Sequence, residues 1–128
     1  YSLLDRRPEE ACLGLLKQNN ISVITRGSLA KGILAGKPAK AYLNYSKAEV
    51  DKITNLLQKV TRQSPTSAAN VALQFVLNNE AITSAFCGIR NSQQLEDVLN
   101  TLKVAFIDKD NMDQLISTLP INHYEAHR

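Results

Sequence analysis

Tryptophan is missing from this 128-residue chain, methionine occurs once, and aromatic residues make up only 5%. So few stacking side chains, with lysine and arginine scattered rather than striped, argue against a nucleic-acid module. The two cysteines, Cys12 and Cys87, are too far apart for a C-x-x-C pair. That spacing argues against a disulfide framework or thiolate zinc site and predicts buried, reduced thiols. No apolar run approaches the length needed to cross a bilayer, and no membrane partner is expected. The opening YSLLDRRPEE has neither an initiator methionine nor a basic-then-apolar leader, and it is expected to be the middle of a longer, cytoplasmic chain. What is present suits one globular domain: 44% hydrophobic residues, 21% charged residues and a net charge of +3.

Periodicity predicts the helices. Val50, Ile53, Leu56, Leu57 and Val60 form an apolar stripe at helical spacing behind Ser46 and Glu49, an S-x-x-E capping box. Ser64-Pro65 announces a second helix through Ala68, Val71, Ala72, Phe75 and Val76, ended by Asn78 and Asn79. Leu95, Val98, Leu99 and Leu102 follow Asn91 and Gln94, and Met112, Leu115, Ile116 and Leu119 lie between Asp108 and Pro120. An earlier helix is expected over Pro8–Gln18, with Cys12 on its apolar side.

Two short β-rich runs, residues 21–25 and 82–87, read as strands buried on both faces, and Tyr1–Leu4 as a third. The alternation of strand and helix is that of an α/β protein with parallel strands. Three such strands leave both sheet edges unpaired. A closed (β/α)8 barrel needs about 250 residues, so the chain would supply a little under half of one: about the last three strands with their helices, residues 1–128 being the C-terminal portion of a single barrel domain. Exposed strand edges would favour self-association.

Two segments carry chemistry. Residues 26–37, RGSLAKGILAGK, follow the first full strand; Gly27, Gly32 and Gly36 let backbone N–H groups approach an anion, and Lys31 and Lys37 add charge. Gly27 and Gly32 have P-loop spacing, but Ile33 and Leu34 follow where Lys and Ser/Thr are required, which disfavours a nucleotide triphosphatase. An ordinary glycine-containing surface loop is the plain alternative. In residues 87–97, CGIRNSQQLED, a strand runs through Gly88 and Arg90 into a helix start, a plausible phosphate seat or simply a capped turn with a solvated arginine. Phosphate sites in (β/α)8 barrels are frequently built from the loops after the last two strands.

The blocks YSLLDR, ISVITRGSLAKGILAGK, SPTSAANVALQFVLNN and ITSAFCGIRNSQQLEDVL, in that order, resemble the C-terminal part of the aldo-keto reductases. The resemblance implies a (β/α)8 barrel, NADPH as cofactor, and reduction of aldehydes and ketones by the intact protein. It places Arg26 where many members have a flat side chain on the nicotinamide ring, and Ser28, Leu29, Lys31 and Gly32 in the loop around the cofactor diphosphate. It places Gly88, Ile89 and Arg90 at the adenosine 2′-phosphate, assisted by Gln94, with Asp97 where a Glu or Gln often contacts adenine. Val98, in place of a frequent asparagine, and Cys87, in place of a frequent proline, depart from the pattern.

The family's Asp, Tyr, Lys, His tetrad belongs to the first half of the barrel. The resemblance therefore assigns no catalytic residue here and implies that this polypeptide alone has no reductase turnover. Tyr42, Tyr45 and Tyr124 read as packing or surface residues. A non-catalytic binding or scaffold module derived from the family is the alternative; a small basic domain binding nucleic acid through Lys31, Lys37 and Arg90 is disfavoured. No metal site is expected: HYEAH at 123–127 matches no zinc motif, and Asp108, Asp110 and Asp113 lack the rest of a calcium loop.

Overall fold

The computed structural model describes residues 1–62 and 65–124. Two parallel strands, β1 (Val23–Arg26) and β2 (Ile82–Phe86), pair side by side. The helices are α1 (Cys12–Gln18), α2 (Lys47–Arg62), α3 (Ala68–Leu77), α4 (Ser92–Asn100) and α5 (Lys109–Ser117). This is an α/β arrangement in which β1 passes through α2 and α3 before returning as β2.

The core is where the periodic stripes meet. Val50, Ile53 and Leu57 of α2, Val71, Ala72 and Val76 of α3, and Met112 and Leu115 of α5 join one buried cluster. The capping box forms as read: Ser46 Oγ accepts from the Glu49 N–H at 3.3 Å, and the Ser46 N–H donates to Glu49 Oε2 at 2.8 Å. Asp108 likewise caps α5 by accepting from the Asn111 N–H at 2.9 Å.

Several expectations are corrected. Tyr1–Leu4 is not a strand: Ser2 and Asp5 bridge each other across a tight turn, which drives both Leu3 and Leu4 into the core. The Tyr1 nitrogen donates to the Arg26 carbonyl at 3.2 Å. The helix expected over Pro8–Gln18 breaks into a 3₁₀ turn, Arg7–Glu9, and α1, because Ala11 leaves the helical region with φ −149°. Glu9, gripped by Arg6 and by the Tyr1 hydroxyl, holds that turn apart. Helix α3 starts at Ser67 rather than at Ser64-Pro65: Ser67 and Asn70 satisfy each other's backbone donors, a complete capping box. Ser64 itself lies outside the described residues.

The strands are not buried on both faces. Ile24 is 70% and Phe86 73% exposed, because helices cover only one side of the pair. Nor does the third stripe reach the core: no residue of α4 is buried, and Leu95, Leu99 and Leu102 are exposed. Cys12 is exposed and Cys87 half-buried, both free; α1 turns Leu13 inward instead. Burial pushes the Cys87 thiol up from its ordinary pKa. No helix among the described residues is long and apolar enough to cross a membrane.

Candidate functional site

Parallel pairing decides where the chemistry lies. Thr25 is opposite Ala85 and Arg26 opposite Phe86, so both strands end at the same level and their following loops leave side by side, strand neighbours being about 4.8 Å apart. The structure therefore brings the segments 26–37 and 87–97 to one end of the sheet, though about 50 positions separate them in sequence.

The loop after β1 is wound by left-handed residues. Gly27 (φ 80°), Ala30 (47°), Lys31 (57°) and Gly32 (92°) all take positive φ, and the turn closes when the Ala30 N–H donates to Gly27 O at 2.8 Å. The Gly32 N–H likewise donates to the Leu29 carbonyl at 2.8 Å, which leaves the Ser28, Leu29 and Lys31 amides of this wound loop for an anion. Leu29 and Ser28 face inward: Leu29 packs on the core, and Ser28 is 2% exposed with its hydroxyl 3.4 Å from the Thr25 hydroxyl. These two can thus serve a ligand only through their backbone. Lys37 folds back over Gly32 and donates to the Lys31 carbonyl at 3.3 Å. A Cβ on Gly32 would sit 2.8 Å from Lys37 Cδ.

The turn after β2 is built onto α4. Asn91 caps the helix by accepting from the Gln94 N–H at 2.9 Å, while Gln94 Oε1 accepts from the Arg90 N–H at 2.8 Å. The Gln94 side-chain oxygen is thus spent on positioning Arg90, leaving its NH₂ for other partners. Gly88 has no positive φ, and a Cβ added there meets nothing within 4 Å. The chain itself does not demand glycine at that point, and open space lies beside the backbone. Asp97, half-buried on α4, gives its carbonyl to Asn70.

Charge follows the same layout. Among the described residues, Arg26, Lys31, Lys37 and Arg90 have no carboxylate partner, the ion pairs falling elsewhere at Arg6–Glu9, Lys17–Glu80 and Lys47–Asp51. Arg26, Lys31 and Arg90 are exposed. Backbone amides, an open glycine and unpaired cations make an end of the sheet able to take a multiply charged anion. Two clefts lie away from this end of the sheet: one of about 190 Å³ behind the loop between Lys37 and α2, and one of about 310 Å³ by Leu13 and Glu80.

No group of three or more His, Cys, Asp or Glu side chains placed to hold a metal exists among the described residues; His127 lies outside them. Sequence reasoning passed over Asn70 and Gln74, two buried polar residues of α3. Their signal was present, since amides four positions apart interrupt an otherwise apolar helix.

The model of the Aldo/keto reductase family matches residues 1–119, and the chain belongs to that family. The uncharacterized oxidoreductase YqkF of Bacillus subtilis (strain 168) is 32% identical over 100% of this chain, which covers 44% of that protein. L-glyceraldehyde 3-phosphate reductase of Escherichia coli (strain K12) is 26% identical, with 98% of this chain covering 42% of it. The solved holo form of aldo-keto reductase AKR11C1 from Bacillus halodurans superposes with a TM-score of 0.82 at 26% identity, covering all of this chain and 43% of that one. The chain thus spans less than half the length of these relatives, and its fold is part of an aldo-keto reductase barrel.

Proposed function

We propose that residues 1–128 are the C-terminal, cofactor-binding portion of a single (β/α)8 domain, and that the surface at the ends of β1 and β2 holds NADPH. The observation that carries the reading is the parallel register, which ends both strands at one level, together with the lack of carboxylate partners for Arg26, Lys31 and Arg90 among the described residues. The residues fit the group: the Ser28, Leu29 and Lys31 amides and the Lys31 ammonium would hold a diphosphate, the Ala30 and Gly32 amides being spent within the loop, while Arg90 and the capped start of α4 suit a 2′-phosphate and the exposed Arg26 plane suits a flat ring. When bound, a reduced nicotinamide supplies hydride to a carbonyl carbon. The chain's own residues bind and orient; its sequence offers no proton donor matching the family's tetrad, so turnover requires the other part of the barrel. The intact protein then reduces aldehydes or ketones, as the name of the E. coli relative indicates for that protein.

Calorimetric titration of the 128-residue chain tests the reading. NADPH should bind at least about tenfold more tightly than NADH, as expected for one charged phosphate contact, and NADPH should not be oxidised against a panel of aldehydes. Equal affinity for the two nucleotides, or steady oxidation by the chain alone, contradicts it. Binding of a short DNA duplex in preference to either nucleotide would favour the basic-domain alternative.

A further inference from the structure

Helix α4 carries the Arg90 turn at its head, yet none of its apolar side chains joins the buried core. None of its residues is buried, and Leu95 and Leu99 are 44% and 56% exposed. What holds it is polar and lies at its tail. Asn70 Nδ2 donates to the Asp97 carbonyl and, at 3.0 Å, to Thr101 Oγ1; Gln74 Nε2 donates to the carbonyls of Thr101, Val104 and Ala105 at 3.3–3.5 Å. These acceptors belong to the end of α4 and the chain just after it, where helical carbonyls have no partner within the helix.

Asn70 and Gln74 are one helical turn apart, so both side chains leave the same face of α3. They are 3% and 0% exposed within a continuous buried run of apolar residues. Burying two amides there costs stability unless they are satisfied, and Gln74 Oε1 has no partner among the described residues. An apolar residue at 74 would pack α3 at lower cost, and Asn70 needs only its oxygen for the Ser67 cap; the Asn70 Nδ2 and the Gln74 amide are explained by what they hold.

We propose that Asn70 and Gln74 are positioning residues for the anion seat: by clamping the tail of α4 they fix the angle at which Arg90 and the Gly88–Ser92 turn meet a phosphorylated ligand. The proposal rests on the reading of that turn as the 2′-phosphate seat. The Gln94–Arg90 link makes the turn move with the helix. Nine residues of helix form a lever about 13 Å long, so a tilt of about 10° at the clamp displaces the head by about 2 Å, enough to break a charge-assisted hydrogen bond.

Two variants of the 128-residue chain separate the clamp from the fold. Gln74→Met keeps volume and helix preference while removing the donors. Asn70→Asp keeps the oxygen that completes the Ser67 capping box and removes the Nδ2 donor. NADP⁺ and NAD⁺ are titrated, and amide hydrogen exchange is followed in the same proteins. The expectation is that residues 92–101 lose protection while α2 and β1 keep theirs, and that NADP⁺ affinity falls at least fivefold while NAD⁺ affinity changes less than twofold. Unchanged protection over 92–101 overturns the clamp. Lost protection with unchanged NADP⁺ affinity overturns its effect on the seat. If the parent chain binds NADP⁺ no more tightly than NAD⁺, the 2′-phosphate reading fails, and with it the positioning role, whatever hydrogen exchange reports about the clamp itself.

Discussion

A single dihedral angle favours glycine at position 32. At φ 92°, with Lys37 Cδ 2.8 Å from any added Cβ, Gly32→Ala should cost about 1–2 kcal/mol from the left-handed backbone alone, measured by urea denaturation; a loss below about 0.5 kcal/mol, the range of an ordinary surface change, would contradict the assigned loop geometry. Ser67→Ala, removing the cap of α3, should cost about 1 kcal/mol. Arg90→Ala should raise the NADPH dissociation constant about tenfold or more and leave NADH nearly untouched, the lost phosphate contact being charge-assisted. Acid acts at the caps. Hydrogen bonds from Ser46 hold the Glu49 carboxyl below its ordinary range, and those from Asn111 do the same for Asp108. A depressed carboxyl stabilises the fold above its unfolded pKa and loses that contribution as pH falls through its folded pKa. Helicity followed by circular dichroism should therefore hold above about pH 5 and decline below about pH 4, and the decline should be smaller in Glu49→Gln. At this scale the sequence was legible wherever one side chain answers a nearby backbone group, as at Ser46, Asn91 and Asp108. It was silent on Ser28, whose inward hydroxyl depends on Thr25 and on how the strand end turns.

Among the elements, periodicity located α2, α3 and α5 because each lays its stripe on a surface supplied by the same chain. The pattern in α4 is as regular, but its Leu95–Leu99 face meets no such surface here. A hydrophobic stripe reports that a helix has something to bury, not which segment covers it. The same holds for the strands: Ile24 and Phe86 have strand character, and the side they face is bare. Tyr1–Leu4 failed as a strand for the opposite reason, two adjacent leucines both turning into the core. These differences can be measured. Leu57→Ala, at 1% exposure, should destabilise by about 2–5 kcal/mol, whereas Leu99→Lys should change the stability of this chain by no more than about 0.5 kcal/mol.

For the whole molecule, a two-stranded sheet with one bare face and an uncovered helix stripe is what remains when a barrel is represented by less than half its length. The partial barrel could be anticipated because a narrow parallel sheet cannot cover its own edges. Such surfaces favour association, so light scattering should report a mass above the 14.2 kDa of one chain, reduced toward it by Phe86→Lys. The central claim is that two loops distant in sequence form one anion seat. Its most direct test is a ¹⁵N-resolved NMR titration of the chain with NADPH. Amides of Ser28–Gly32 and of Gly88–Gln94 should shift together with a single dissociation constant; shifts in one loop alone, in neither, or around the Lys37–α2 cleft instead would contradict the account.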